Sequence, residues 1–166
     1  MINLQLSQNR HIVKCNQKDN IFVSIEVSPD ESTQLIQKTH HVSLAIDCSG
    51  SMYGEPLDDA KNAAIQAVKN LSPNDMVSIV AFEQEARVEL SAAPANDSNI
   101  SNVINSLEPG GGTAMYDGIN MAFNLLQKSI TPNIINKLMV FTDGEPTVGP
   151  DDNEIIKKCK EIRNAG

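Results

Sequence analysis

Five oxygen-bearing side chains stand where the apolar pattern of this chain breaks. Asp47, Ser49 and Ser51 follow the apolar run Val42–Ile46, in the stretch DCSGSM. Thr113 follows Gly110-Gly111-Gly112, and Asp143 follows the apolar run ending at Thr142, in FTDGEPTVG. Two carboxylates and three hydroxyls make an all-oxygen donor set. A hard cation such as Mg2+ favours such a set, in near-octahedral geometry with some water retained; Mn2+ and Ca2+ are the substitutes. A lone carboxylate at the end of an apolar strand is costly unless it is paired or metal-bound, which suits Asp47 and Asp143 to this role. Alternate residues of an extended turn point the same way, so Asp47, Ser49 and Ser51 share one side. Gly50 and the three glycines before Thr113 let the backbone come close.

The elements that position these groups follow from the hydrophobic pattern. Residues 2–6 and 21–27 alternate apolar and polar, as half-buried antiparallel strands do. A turn-rich gap, Asn16 to Asn20, separates them, and a polar linker runs from Ser28 to Thr39. The pattern then changes. Val42–Ile46 reads as a strand buried on both faces. A helix is expected from about Pro56 to Leu71, with Pro56, Asp58 and Asp59 suited to its first turn and Leu57, Ala60, Ala64, Ala67, Val68 and Leu71 facing inward. Strands follow at Met76–Phe82 and Ala86–Leu90, a short helix at Ile100–Leu107, and a long helix at Ala114–Lys128 whose Met115, Ile119, Ala122 and Leu126 are core. Another buried strand is expected at Lys137–Thr142, then a helix at Asp151–Asn164 with Ile155, Ile156, Cys159 and Ile162 inward. The expected fold class is α/β: a doubly wound, mostly parallel sheet flanked by helices, with an N-terminal antiparallel β-arm. Ligands of such sheets bind beyond the carboxyl ends of the strands, where these five residues fall.

Composition narrows the function classes. With 166 residues the chain is long enough for one domain with a real core. Thirteen basic against 21 acidic residues give a net charge of −8, which argues against binding a nucleic-acid backbone or an anionic membrane surface. Aromatics are 4% with no Trp, so base stacking and an aromatic sugar cleft are disfavoured. No apolar run is long enough to cross a bilayer, and no signal peptide is visible at the N-terminus. Cys15, Cys48 and Cys159 are odd in number without CxxC spacing, so buried or half-buried thiols in a reducing compartment are expected, and with them a cytoplasmic location. His11, His40 and His41 all precede Ser49, which leaves no Ser–Asp–His order for a hydrolase, and GxSxG is absent. Gly110–Thr113 lacks the Lys of a phosphate-binding loop. His40 and His41 read as polar edge residues before a strand. Asp151-Asp152-Asn153-Glu154 reads as helix-start capping rather than a calcium loop. Asp117 and Glu145 are candidates for support around the site, Glu145 more as a rim residue.

Taken together, DCSGSM, GGGTAMYDGI and FTDGEPTVG resemble the metal-ion-dependent adhesion site of a von Willebrand factor A domain. That family's pattern is DxSxS, a Thr in a Gly-rich loop, and an Asp after a later strand, usually as TDG. All of these positions match, over roughly residues 40–166. The resemblance implies that Asp47, Ser49, Ser51, Thr113 and Asp143 form the metal set, with Ser49 and Ser51 ligating directly and Asp47 or Asp143 often acting through water. It implies a non-enzymatic protein-binding module whose protein ligand presents an Asp or Glu to the metal. The alternatives are a Mg2+-dependent phosphohydrolase or phosphotransferase with Asp47 at the metal, and an assembly subunit acting with an ATPase. The acidic rim of Asp143, Glu145, Asp151, Asp152 and Glu154 attracts a cation and repels an acidic partner from an empty site, so partner binding is expected to require metal. The family pattern continues beyond residue 166 and lacks the first 35 or so residues, which resemble the β-rich flank of bacterial members. Residues 1–35 are accordingly read as a β-arm and 40–166 as a domain lacking its C-terminal strands. The 137–142 strand then becomes a sheet edge open to strand pairing or oligomer formation.

Overall fold

The computed structural model describes residues 2–8, 23–29 and 38–165. Their contacts fall into two units, Met1–Gln37 and Lys38–Gly166. In the first unit, β1 (Ile2–Gln8) pairs antiparallel with β2 (Val23–Pro29), from Ile2 opposite Pro29 to Gln8 opposite Val23. Both strands run two residues further at their C-terminal ends than the alternation suggests. Ile21 and Phe22 lie outside the described residues, as do Cys15 and His11.

The second unit is built on a four-stranded sheet. Its strands are β3 (Thr39–Asp47), β4 (Met76–Phe82), β5 (Ala86–Pro94) and β6 (Ile134–Phe141), in the spatial order β5-β4-β3-β6. β3 pairs parallel with both β4 and β6, and β5 returns antiparallel to β4 through a hairpin. The sheet is therefore mixed, as a mostly parallel sheet with one hairpin edge must be. Sequence order reverses across β3 and β6, and the carboxyl ends of these two strands lie side by side, with Ile46 opposite Phe141. That is the switch point at which an open α/β sheet leaves a crevice.

Four helices cover the sheet: α1 (Glu55–Lys69), α2 (Asn99–Asn105), α3 (Met115–Gln127) and α4 (Asp152–Ala165). α1 starts where expected for a physical reason. Gly54 precedes it at φ 84°, a conformation that favours glycine, and Pro56, Glu55 and Asp58 occupy its first turn. Its buried stripe is Leu57, Ala60, Ala64 and Val68. Leu57 and Val68 contribute about 1.5–3 kcal/mol each by leaving water. Ala67 and Leu71, expected inward, are half-buried at the margin of that stripe.

The two faces of the sheet differ. Val42, Leu44, Ile46, Val77, Ile79 and Ala81 form one core with α1 and with Ile100, Ile104 and Leu107. The opposite face carries Ala45, Val80 and Phe82 against Ala122 and Leu125 of α3. Ala45 and Ala122 are the small residues of this second face, and Gly118 lets α3 come close to Phe82. A Cβ placed on Gly118 of α3 would lie 2.4 Å from Phe82 Cδ1, so only glycine fits there without displacement.

Three expectations need correction. His40 and His41 are inside β3 and not before it, because the strand begins at Thr39. His41 is buried and not an edge residue: Nδ1 lies 2.6 Å from Ser129 Oγ and Nε2 lies 2.9 Å from Ser78 Oγ. Ser129 Oγ donates to the Leu126 carbonyl and Ser78 Oγ accepts the Ala92 amide, so Nδ1 donates and Nε2 accepts in a neutral ring. In α4 only Ile155 is buried; Ile162 is half-buried, while Ile156 and Cys159 are exposed, because one narrow face of this helix meets α3. Finally, β6 begins at Ile134 and is half-exposed, with Ile135, Met139 and Val140 accessible, because β3 is its only neighbour in the described sheet. The start of α4 is capped as expected, with the Glu154 amide donating to Asp151 Oδ1 at 3.1 Å.

Candidate metal centre

Asp47 is the last residue of β3, and its side chain is 0% exposed. Both of its oxygens are occupied. Oδ1 accepts the amide of Ser49 at 2.8 Å, and Oδ2 accepts the hydroxyl of Thr142 at 2.6 Å. Among the described residues no Lys, Arg or His lies within 4.0 Å of it. A carboxylate wholly removed from water needs compensation beyond two hydrogen bonds, because its desolvation costs several kcal/mol.

After β3 the chain turns through a short 3-10 segment, Gly50–Met52. This aligns the hydroxyls of Ser49 and Ser51, whose Oγ atoms are 3.1 Å apart. Ser51 Oγ in turn donates to Asp143 Oδ1 at 3.0 Å, across a separation of 92 residues. Asp47, Ser49, Ser51 and Asp143 are thus brought into one cluster of oxygens. Asp47 and Ser49 are buried at its floor, while Ser51 and Asp143 are exposed at its mouth.

Thr113 is placed on the adjoining loop, buried, and joined to the cluster through backbone. Gly50 N–H donates to Gly111 O at 3.1 Å and Gly110 N–H to Cys48 O at 2.7 Å, which stitches the glycine loop to the serine turn. On its other side, Thr113 N–H donates to Thr147 Oγ1 at 2.8 Å, and its carbonyl accepts the amides of Thr147 and Val148. A Cβ on Gly112 would sit 2.6 Å from Val148 Cγ2, so this loop closes only over glycine. The Thr113 hydroxyl makes no hydrogen bond to the other four residues among those described. It is left free for another partner.

Asp117 and Glu145 are both exposed and make no hydrogen bond to the cluster among the described residues. The support comes instead from Thr142, Thr147 and Gln84, whose Oε1 accepts the Gly112 amide at 3.3 Å. These roles are not visible in residue spacing. Thr142 closes an apolar strand and Thr147 lies in a polar loop; the contacts that give them a task span 95 and 34 residues. Nearby Cys48 is buried, and burial pushes its thiol up to about 11, so it stands beside the cluster as an inert apolar filler.

Among the described residues no three His, Cys, Asp or Glu side chains gather as a metal group. The cluster offers two carboxylates and three hydroxyls, a hard, low-charge set in which oxygen is the sole donor type. That donor chemistry suits a hard divalent cation.

Fold and cluster agree with the family relationship. The von Willebrand factor type A domain family matches residues 42–145, more than half of the chain, and the chain belongs to that family. Its members are generally protein–protein interaction modules that commonly bind a divalent metal. The chain is similar to inter-alpha-trypsin inhibitor heavy chain H4 of Homo sapiens, at 34% identity over 127 residues, covering 70% of this chain and 14% of that protein. It is also similar to the uncharacterized protein sll0103 of Synechocystis, at 30% identity, covering 68% of this chain and 27% of that one. The chain thus spans a minor part of the curated relatives it matches. Among solved structures, a von Willebrand factor type A protein from Catenulispora acidiphila shares the fold with a TM-score of 0.65 at 21% identity, covering 96% of this chain and 37% of that chain. BatB from Bacteroides thetaiotaomicron does so with a TM-score of 0.62 at 24% identity, covering 77% and 62%.

Proposed function

We propose that this domain binds a divalent cation, Mg2+ in the first place, and captures a protein partner through a carboxylate that completes the cation's shell. The observation that carries the reading is Asp47: a fully buried carboxylate with no cationic side chain within 4.0 Å among the described residues. Ser49, Ser51 and Thr113 would hold the cation through hydroxyl oxygen, and Asp143 would close the set at the solvent side. When bound, the cation supplies a positive centre with an open position, and a carboxylate is the strongest remaining ligand for it. Asp47 would act chiefly as a fixed charge beneath the site, since each of its oxygens already accepts a hydrogen bond. Thr142 orients it. The resulting device binds and releases; no residue placed at the cluster acts as a proton shuttle.

The test uses the full chain with Mn2+ as a paramagnetic probe. Titration should show one saturable site, weakened at least tenfold in Ser51→Ala and Thr113→Ala. Addition of a short Asp-containing peptide should lower the water-proton relaxivity of the complex, as its carboxylate displaces metal-bound water. Equal Mn2+ affinity in the variants, or equal peptide binding in EDTA, would overturn the proposal.

A further inference from the structure

Away from the oxygen cluster, α4 leaves a hollow against the sheet. Ile155 is the buried residue of this helix and lies near its start; Ile162, in the last turns, is half-buried. The far end of α4 therefore stands off from α3 and β6. The space has a volume of about 210 Å3, walled by Phe123 and Leu126 of α3, Leu138 of β6 and Ile162 of α4. It shares Ile130 and Asn136 with a second hollow of about 250 Å3, which runs on to Ile134 and Ile135. Together they make one apolar trough over the first half of β6. Asn136 is six residues before Thr142, about 20 Å along an extended strand, so the trough and the cluster are remote from each other.

Two features of the trough point to a ligand. Its apolar wall is open: Ile130, at the junction of the two hollows, is 50% exposed. The second feature is the polar lining of the first hollow, which consists of Asn136 and Arg163. Asn136 Oδ1 accepts a share of the Ser129 hydroxyl at 3.1 Å, so the end of this amide turned away from Ser129 is its NH2, a donor. Arg163 has no carboxylate within 4.0 Å among the described residues. The cation next along α4 differs: Lys158 Nζ lies 3.2 Å from Glu161 Oε1 and 5.0 Å from the centre of the Phe123 ring. The acid of this helix face is thus already matched, and the guanidinium is not. The helix dipole accounts for a basic residue in the last turn of α4, but not for the unfilled apolar trough at its side.

We propose that the trough binds a small amphiphilic carboxylate. An aliphatic chain of medium length lies along Phe123, Leu138 and Ile162 towards Ile130, and its carboxylate meets the Arg163 guanidinium and the Asn136 amide. An apolar cleft with a few convergent donors is the usual form of such a site. The proposal is independent of the cation and adds a second kind of ligand to the domain.

The test is octanoate titrated into the full chain in EDTA, which keeps its carboxylate from any metal, with the methyl signals of Ile and Leu followed by NMR. Shifts should be saturable, with Overhauser contacts from the chain to Leu138 and Ile162. Affinity should rise about fourfold for each methylene added between butanoate and octanoate. Octan-1-ol, of the same length without the charge, should bind about tenfold more weakly. Arg163→Gln should weaken octanoate about tenfold. Asn136→Asp keeps an acceptor for Ser129 but sets a like charge against the ligand, and should abolish binding; circular dichroism checks that both variants fold. No saturable shift, octanol binding as tightly as octanoate, or octanoate indifferent to both substitutions would overturn the proposal. Binding in Mg2+ but not in EDTA would assign the carboxylate to the cluster and overturn it equally.

Discussion

Asp47→Asn separates the energetic burden of the buried carboxylate from its use. The two side chains have the same shape. The Asn carbonyl takes the Ser49 amide that Oδ1 accepts at 2.8 Å, and the Asn NH2 donates to Thr142 Oγ1, now 2.6 Å from Oδ2, once that hydroxyl turns. Both hydrogen bonds survive with less charge assistance, a loss of about 1 kcal/mol each. Against this, the variant no longer buries a charge, which relieves a desolvation penalty of several kcal/mol. In EDTA the variant should therefore be as stable as the parent or more stable, by about 1–3 kcal/mol. In Mg2+ the order should reverse in its response. At a concentration 100 times the dissociation constant, the parent gains about 2.7 kcal/mol. For a unit of this size that is a rise in melting temperature of about 8–13 °C, and the variant should gain almost none. Circular dichroism at 222 nm, with thermal scans across an Mg2+ series and in EDTA, reads both quantities. An Asn variant clearly less stable than the parent in EDTA would show that the buried charge is not a liability. An undiminished Mg2+ response in the variant would show that the cation acts elsewhere.

Gly118→Ala should destabilise the domain by about 1–2 kcal/mol in urea unfolding, because overpacking against Phe82, 2.4 Å from the new Cβ, outweighs the helix-propensity gain of at most about 1 kcal/mol. Stability should also fall as pH drops below about 6.5. Burial holds the His41 pKa below its ordinary value of 6.5, so below that pH the unfolded chain takes up a proton that the fold refuses, and the loss levels off past the depressed native value. His41→Asn should flatten that part of the profile in pH-dependent urea melts. A second loss should appear lower still. Burial alone would raise the pKa of Asp75, but the amides of His40 and Ser72 outweigh it and hold it below its ordinary 3.8, so its stabilisation is lost as pH falls from that value through the native one. With native thiol labelling at pH 8, iodoacetamide should modify exposed Cys159 and spare Cys48, whose buried thiol is pushed up to about 11; labelling of both at similar rates would contradict its burial.

Much of this molecule was legible in its sequence, for identifiable reasons. Strand β4 was readable to the residue because Met76–Phe82 is apolar at every position but Ser78 and is bounded by Pro73-Asn74-Asp75 and a polar hairpin. The helices were readable to within two residues at each end, since Gly54, Pro56, the glycine run and Asp151 punctuate them. The beginnings of β3 and β6 were not. Thr39, His40 and His41 are polar, and their place in the strand depends on partners far along the chain: Ser78, Ser129 and the Asp75 carboxylate that accepts the His40 amide at 2.7 Å. The five oxygen-bearing residues could be listed from spacing, but their supports could not. Thr142 and Thr147 act through hydrogen bonds to residues 95 and 34 positions away, which no local periodicity encodes.

The cluster also straddles two parts of the sheet with unequal hold on the chain. Asp47, Ser49 and Ser51 extend from β3, which has a neighbour on each side, whereas Thr142, Asp143 and Thr147 follow β6, which is held in the described sheet by β3 alone. Peeling of β6 breaks the contacts of Thr142 with Asp47 and of Asp143 with Ser51 together, and so dismantles the cluster before the rest of the domain unfolds. Assembly of the cluster and integrity of the β6 edge are then one property.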